Sequence, residues 1–430
     1  MNPKKTLTLI GALLLLSVSF VPAIDGLLID NKDISLRNYS DRSIVYIKAS
    51  SPYDYGFKAG KLYRLGYKIL DLLFVFIKND NSIKEDIDGR IISLEKYCPD
   101  FLEELRGLSD SIGIKIERLL EIQHYISYLF KNHCSVTAST NPATKNDDTF
   151  LTQNWDYEQP LLFLTTFYYS LFSNYPHIKH VSSGYKYVYF GIPVLQEVFL
   201  INEKGLGWGA IYTSLTKNES RCIDEGDGIP TYVLERETMM TCANVSEVAN
   251  FWKKSQRAAN KDRSYPNHWD YASTVWCDKE GGILMIEQSH SHIATVFGNS
   301  TGITGAPAGI LWHGYHHLWL DPNLTGSSYP EECYTSPVKT ERLRELLEKN
   351  YGNITLEVCK NIMRDHEGGF DPAKPDDADI CCHYSRDYKV RTAFSWIIEP
   401  KKLTVHLTHR IPCRSIYWRY NFTRTFSRFN

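Results

Sequence analysis

Apolar positions recur every three or four residues through YDYGFKAGKLYRLGYKILDLLFVFIK, which starts at Tyr53, and through FLEELRGLSDSIGIKIERLLEIQHYISYLF, which starts at Phe101. That spacing predicts amphipathic helices over residues 53–131, each packing one face on a core. At Cys134 the period changes. Short alternating segments follow, CSVTAS, TFLTQNW, KYVYFGI, EVFLINEKGLGWGAIYTSL and STVWCDKEGGILMIEQS, and these predict strands. Helical spacing returns in TYVLERETMMTCANVSEVANFWKKS and SPVKTERLRELLEKN, and TAFSWIIEPKKLTVHLTHRIP reads as a hairpin turning at Glu399-Pro400. Strand runs with helices inserted between them predict a layered α+β domain. The shift at Cys134 is the single candidate boundary, and neither an internal repeat nor a low-complexity linker interrupts the chain.

The N-terminus follows neither period. Lys4 and Lys5 precede a mainly apolar run at residues 7–20 and small residues at 21–23, the pattern of a cleaved signal peptide over residues 1–23. An uncleaved anchor is the alternative, although the run is shorter than the roughly 20 residues a span needs; without it no stable membrane insertion is expected. Asn-x-Ser/Thr sequons at Asn38, Asn218, Asn244, Asn299, Asn323, Asn353 and Asn421 agree with an exported glycoprotein, secreted or held in a lysosome-like compartment. Ten cysteines among 430 residues are too dilute for a disulfide scaffold. The 43% hydrophobic content supports a full core, and a net charge of -2 lacks the basic excess of a nucleic-acid or anionic-membrane binder.

The candidate chemistry sits where the period changes, in NHCSVTASTNPATKNDDTFLTQNWDY, residues 132–157. CSVTAS and TFLTQNWD read as two strands joined by NPATKNDD, a run of turn formers. A hairpin centred on Lys145 sets Cys134 opposite Asp156 with Cβ atoms about 5 Å apart. Alternation then adds Val136 and Ala138 to the side of Cys134, and Thr152 and Asn154 to that of Asp156. A one-residue slip would separate them. The competing reading is a buried structural cysteine beside a solvated aspartate. A nucleophilic role requires activation, because the thiolate reacts and a free thiol titrates near ~8.5. Nothing like the Cys-Gly-Ser-Cys-Trp signature of papain-type proteases surrounds Cys134. Cleavage just before Cys134 would instead expose an α-amino group titrating near ~7.7–8.0, able to accept the thiol proton near neutral pH. His313, His316 and His317, with His383, are metal candidates, but no Cys-x2-Cys or His-Glu-x-x-His spacing supports them, so no metal or organic cofactor is expected. The 28 tyrosines and nine tryptophans leave a rival class, an exported carbohydrate- or ligand-binding protein with an inert Cys134.

In order along the chain, YDYGFKAG, YCPDFLEELRGLSDSIGI, CSVTAS with TQNWDY, NEKGLGWG, GIPTYVLER, and DICCHY followed by TAFSWIIEPKKLTVHLTHRIPC resemble the motifs of a known family. It is the acyl-coenzyme A:6-aminopenicillanic acid acyltransferase-like family of N-terminal nucleophile (Ntn) cysteine hydrolases, whose distant relatives include acid ceramidase, N-acylethanolamine amidase and choloylglycine hydrolase. The resemblance implies a four-layer αββα Ntn-hydrolase sandwich made as a proenzyme. Cleavage between His133 and Cys134 would give a helical α chain, residues 24–133, and a β chain, residues 134–430, paired as a heterodimer. Cys134 would then attack a small-molecule N-acyl amide to form a thioester that water or an amine resolves, with Asp156 orienting the α-ammonium group. Gln153 stands where the ceramidase-like relatives carry arginine. Two departures are visible: His133 replaces the glycine common before the nucleophile, and Tyr315, in the segment 313–316, replaces an asparagine of the oxyanion hole. That leaves Tyr315, Asn154 or a backbone N–H as the oxyanion donor. Arg342 in SPVKTERLRELL matches the arginine of a family helix, for catalysis or carboxylate binding, with a solvated helix charge as the competing reading. Export argues against acyl-CoA as donor and so for hydrolysis over transfer; the acyl and amine parts stay open.

Overall fold

A computed structural model of the chain describes residues 34–39, 42–75, 81–129, 134–158, 172, 175–212, 224, 226–258, 272–298, 307–325, 335–367, 379–383 and 390–427. The expected signal segment, residues 1–23, and His133 lie outside the described residues.

The expected helices form: α1 (Pro52–Leu62), α2 (Arg64–Val75), α3 (Asn81–Tyr97), α4 (Pro99–Ile112) and α5 (Ile116–Leu129). Ser51 caps α1 by accepting the Asp54 N–H at 3.1 Å, and proline opens both α1 and α4. Helix α4 stops at Gly113, whose φ of 71° is cheap only for glycine. Helices α1 and α4 touch backbone to backbone. A Cβ added at Gly56 would lie 1.9 Å from the Glu104 carbonyl oxygen, and one at Gly107 would lie 2.0 Å from that of Tyr53. The glycines of YDYGFKAG and LRGL are therefore a contact surface.

Upstream of α1 the chain departs from the helical expectation. Residues 34–49 form β1 (Ile34–Tyr39) and β2 (Arg42–Ala49), and β2 runs parallel to β5 (His177–Val181). Ile44, Val45, Tyr46 and Ile47 are all buried, so β2 is covered on both sides and shows no alternation to read. The segment before Cys134 is thus not helical alone.

One sheet has nine strands in the order β1-β2-β5-β6-β7-β8-β9-β10-β11, adding β6 (Tyr187–Ile192), β7 (Gln196–Asn202), β8 (Gly207–Tyr212), β9 (Ala272–Cys277), β10 (Ile283–Gln288) and β11 (Ile293–Phe297). The other has six in the order β12-β3-β4-β13-β14-β15: β12 (Ile310–His313), β3 (Ser135–Ser139), β4 (Phe150–Glu158), β13 (Val390–Glu399), β14 (Thr404–Leu407) and β15 (Trp418–Asn421). The sheets meet where β3 and β4 lie against β8 and β9. Trp155, Trp208 and Trp396 fill that seam, with Trp155 and Trp208 centroids 6.4 Å apart. Helices α1, α6 (Thr231–Thr241) and α7 (Val245–Lys254) cover the nine-stranded sheet, while α8 (Thr335–Lys349) and α9 (Leu356–Met363) cover the six-stranded one. The four layers are αββα, as expected. Among the described residues no helix is long and apolar enough to cross a membrane.

Candidate active site

Residues 134–157 fold as a hairpin, but its register pairs Ser135 with Asn154 and Ser139 with Phe150, one residue away from a Cys134–Asp156 pairing. The turn explains the shift. Thr140 accepts backbone bonds from Ala143 and Thr144, and Asn146 and Asp147 sit at φ 61° and 52°, so the loop is two tight units instead of one symmetric arch. A change of parity moves a side chain to the opposite face. Cys134 joins the cluster between the sheets with Val136, Leu151 and Trp155, whereas Asp156 turns with Asn154 and Thr152 toward α8 and α9.

The two residues still meet, through the main chain. The Cys134 thiol lies beside the Asp156 main chain and the Gln153 carboxamide, both of which act to lower its pKa. Gln153 is itself fixed, donating to the Ala210 carbonyl at 2.5 Å and accepting from the Ala210 N–H at 2.9 Å, which ties β4 to β8 across the seam. Burial first, and then the Asp156 charge, push the Cys134 thiol well above its ordinary pKa; the Asp156 main chain, the Lys339 charge and Gln153 oppose that rise without cancelling it.

Asp156 is fully buried and its cation is Lys339. Lys339 Nζ donates to Asp156 Oδ2 at 2.9 Å and to Cys382 Sγ at 2.8 Å. Thr392 Oγ1 donates to Asp156 Oδ1 at 2.6 Å and accepts the Cys382 N–H at 2.9 Å. A carboxylate, an ammonium, a hydroxyl and a second thiol therefore form one network behind the strand that Cys134 heads.

Arg342 lies outside it. Half-buried on α8, it forks onto Asp365, with Nε–Oδ2 3.0 Å and Nη2–Oδ1 2.8 Å, and reaches Glu367 at 2.9 Å. The reason is angular: Ser336, Lys339, Thr340, Leu343 and Leu347 form the buried stripe of α8, and Arg342 falls beside that stripe. Lys339, which the sequence reading passed over, was recoverable from that spacing.

Asn154 donates both Nδ2 hydrogens, to the Met363 and Ile380 carbonyls at 2.9 and 2.8 Å. It holds the end of α9 and the 379–383 segment on β4, and its donors are not available to an oxyanion. Tyr315 follows β12, which pairs with β3 through His313 opposite Val136, so it lies at the same end of the sheet as Cys134. It is buried, and its N–H donates to Ser336 Oγ at 2.7 Å. His313, His316 and His317 do not join His383. His313 bonds Glu287 at 2.8 Å, and His316 Nδ1 lies 2.7 Å from Ser336 Oγ. Burial works to raise the Glu287 pKa, but the His313 bond, the His317 and His313 charges and the Leu318 N–H hold it down at about 2; Trp319 and Leu320 also donate their N–H groups to its carboxylate. Asn202 of NEKGLGWG is scaffold as well: its Oδ1 accepts from Lys204 and Leu206, and its Nδ2 donates to Met239 and Cys242.

Two packed sheets between helical layers, with a cysteine at the head of a central strand and an aspartate in the neighbouring strand, define the Ntn-hydrolase class. Residues 143–408 match the family described as acyl-coenzyme A:6-aminopenicillanic acid acyl-transferase, a span that begins just after the candidate nucleophile. The chain belongs to that family of acyl-transferring enzymes. Among solved structures it is similar to a mutant conjugated bile acid hydrolase from Clostridium perfringens, at 12% identity and TM-score 0.38 over 68% of this chain and 93% of that one. It is also similar to penicillin V acylase from Agrobacterium tumefaciens, at 10% identity and TM-score 0.34 over 64% and 83%. No curated protein matches the sequence.

Proposed function

We propose that this enzyme is an exported, self-processing cysteine amidase that hydrolyses small-molecule N-acyl amides. The observation that carries the reading is the buried Cys134 at the head of β3, next to the strand whose Asp156 carboxylate is committed to Lys339 and Thr392. In the uncut chain that thiol is held protonated by burial and by the Asp156 charge. Cleavage before Cys134 reverses the local balance. The thiol attacks the His133 carbonyl carbon, the acyl group moves from nitrogen to sulfur, and water hydrolyses the thioester, leaving a His133 carboxylate and a free Cys134 amine. That amine takes the thiol proton near neutral pH, and its charged form has Asp156 close by. The thiolate then attacks the substrate carbonyl, the amine leaves with the proton, and water releases the acid and regenerates the thiol.

Export rests on the lysine-led apolar run at residues 4–23 and on the sequons, and water, not a second amine, is the acceptor this implies. The test is to purify the protein and sequence the fragments. Two pieces are expected, the second starting at Cys134, with turnover of some member of a panel of N-acyl amino acids, N-acylethanolamines and penicillins. Cys134→Ala stays whole and inactive, and Cys134→Ser cleaves slowly. An active, unbroken wild-type chain, or an active Cys134→Ala protein, overturns the reading.

A further inference from the structure

Beside the network, and outside any step above, four metal-binding side chains converge from three separate segments. They are His366, which follows α9; Cys381 and His383, in the 379–383 segment; and Cys413, in the turn after β14. Their donor atoms all lie within 4.8 Å of one another. His366 Nε2 is 2.9 Å from His383 Nε2, Cys413 Sγ is 3.2 Å from that same nitrogen, and Cys381 Sγ is 4.0 Å from it. A tetrahedral zinc with ordinary bond lengths sets its donors about 3.3 Å apart for two nitrogens and about 3.6 Å for nitrogen and sulfur. The nitrogen pair, at 2.9 Å, is somewhat close, and the two nitrogen–sulfur separations fall on either side of the ideal, so small rotations bring all four donors onto one centre.

The segments are held for this. Arg364 donates from Nε to the Pro412 carbonyl at 3.0 Å and from Nη2 to the Ser415 carbonyl at 3.2 Å, fixing the turn that carries Cys413 beside the end of α9. The Cys381 N–H donates to the Asp365 carbonyl at 3.0 Å, fixing the second segment next to His366. Such supports orient ligands before an ion arrives. All eight cysteines among the described residues are free thiols, Cys381 and Cys413 included.

We propose that His366, Cys381, His383 and Cys413 bind a divalent zinc ion as a closed Cys2His2 site. Two thiols lose their protons, two neutral imidazoles bind, and the complex carries no net charge. Four protein donors leave no open coordination position, so the ion is structural and does not activate water. Its consequence for the reaction is positional. Cys382, which touches both Lys339 and Asp156, sits between two ligands, so the ion clamps the backbone that sets this thiol against the network.

The test uses the full chain, purified without chelator. About one zinc per chain is expected by elemental analysis, and cobalt(II) exchanged into the site should give the visible bands of a tetrahedral centre with a thiolate charge-transfer band. His366→Ala removes an exposed donor and opens no cavity; Cys413→Ser removes a sulfur. Each should weaken zinc binding by more than the roughly 10–100-fold that loss of a supporting partner costs, and abolish the cobalt spectrum with the far-UV dichroism unchanged. Should Cys413→Ser fail to fold, His366→Ala decides alone. A reduced wild-type chain that takes up neither zinc nor cobalt overturns the proposal. So does a Cys381–Cys413 disulfide in protein secreted by its own host, or a His366→Ala variant that binds zinc as tightly as wild type.

Discussion

Removing the Lys339 ammonium while keeping the side-chain length, as in Lys339→Met, leaves Asp156 fully buried with only Thr392 and Cys382 as side-chain partners. Breaking a buried ion pair by deleting one member costs about 3–5 kcal/mol, because the remaining charge keeps its desolvation penalty. That is a large share of the 5–15 kcal/mol or so by which a typical domain is stable. Deleting both charges, in Lys339→Met with Asp156→Leu, removes the penalty and leaves mainly an unmet Thr392 hydroxyl, about 1–3 kcal/mol. The double variant should therefore be more stable than either single one. Urea unfolding in a Cys134→Ala background keeps one polypeptide per molecule, and the comparison holds if midpoints move while the slopes stay constant. Activity, read in the parent background, should be lost in all three variants. A Lys339→Met cost below about 1 kcal/mol, the range of an exposed pair such as Arg344 with Glu348, or strictly additive single effects, would refute the argument that this pair is a desolvated unit.

Arg342→Ala should leave kcat/KM within a few-fold of wild type in a steady-state assay, since its half-buried fork onto Asp365 lies outside the Asp156 network; a loss of a hundredfold or more would return Arg342 to the site. Gly107→Ala should lower the unfolding midpoint by an amount equivalent to about 1–3 kcal/mol or more, because its methyl group meets the Tyr53 carbonyl and α1 must move off α4; unchanged stability would sink the close-contact reading. Acid should destabilise the fold. Burial lowers His177 to about 3 and His316 and His317 to about 4, so these groups are neutral when folded and take up protons on unfolding. Their contribution is complete above the unfolded value near ~6.5 and is lost as pH falls toward the folded values, each at up to about 1.4 kcal/mol per pH unit. Urea midpoints from pH 7 to pH 4 test this, and His177→Gln should make the decline shallower.

Element types were legible wherever one side of an element meets water and the other meets the core. The helices over residues 53–129 and the closing hairpin at Glu399-Pro400 show their periods plainly. Strand β2 did not, because burial on both faces erases alternation from Ile44 to Ile47. The nucleophile hairpin was legible as two strands but not in register, since parity depends on how a long turn folds, and left-handed residues at Asn146 and Asp147 decide that. Cys134 and Asp156 do belong to one neighbourhood, though through main chain instead of facing side chains. On α8 helical spacing marks Lys339 as inward-facing, whereas the motif match falls on Arg342, beside the buried stripe. Of the four proposed ligands only Cys381 and His383 are close in sequence, and the packing of α9 against the turn after β14 brings His366 and Cys413 to them.

Residues 34–129 are woven into the rest of the molecule. Their strand β2 lines up with β5, and Glu104 on α4 meets Lys179 at 2.6 Å and pairs with Arg236 in the interior. Under the proposed cleavage, the mature enzyme would be a pair of fragments shaped by a connection that no longer exists. Its first folding would be an event within one molecule, and any later folding would be an encounter between two. Recovery after denaturation would then depend on concentration, and working lifetime would be governed by how slowly the assembled sandwich comes apart.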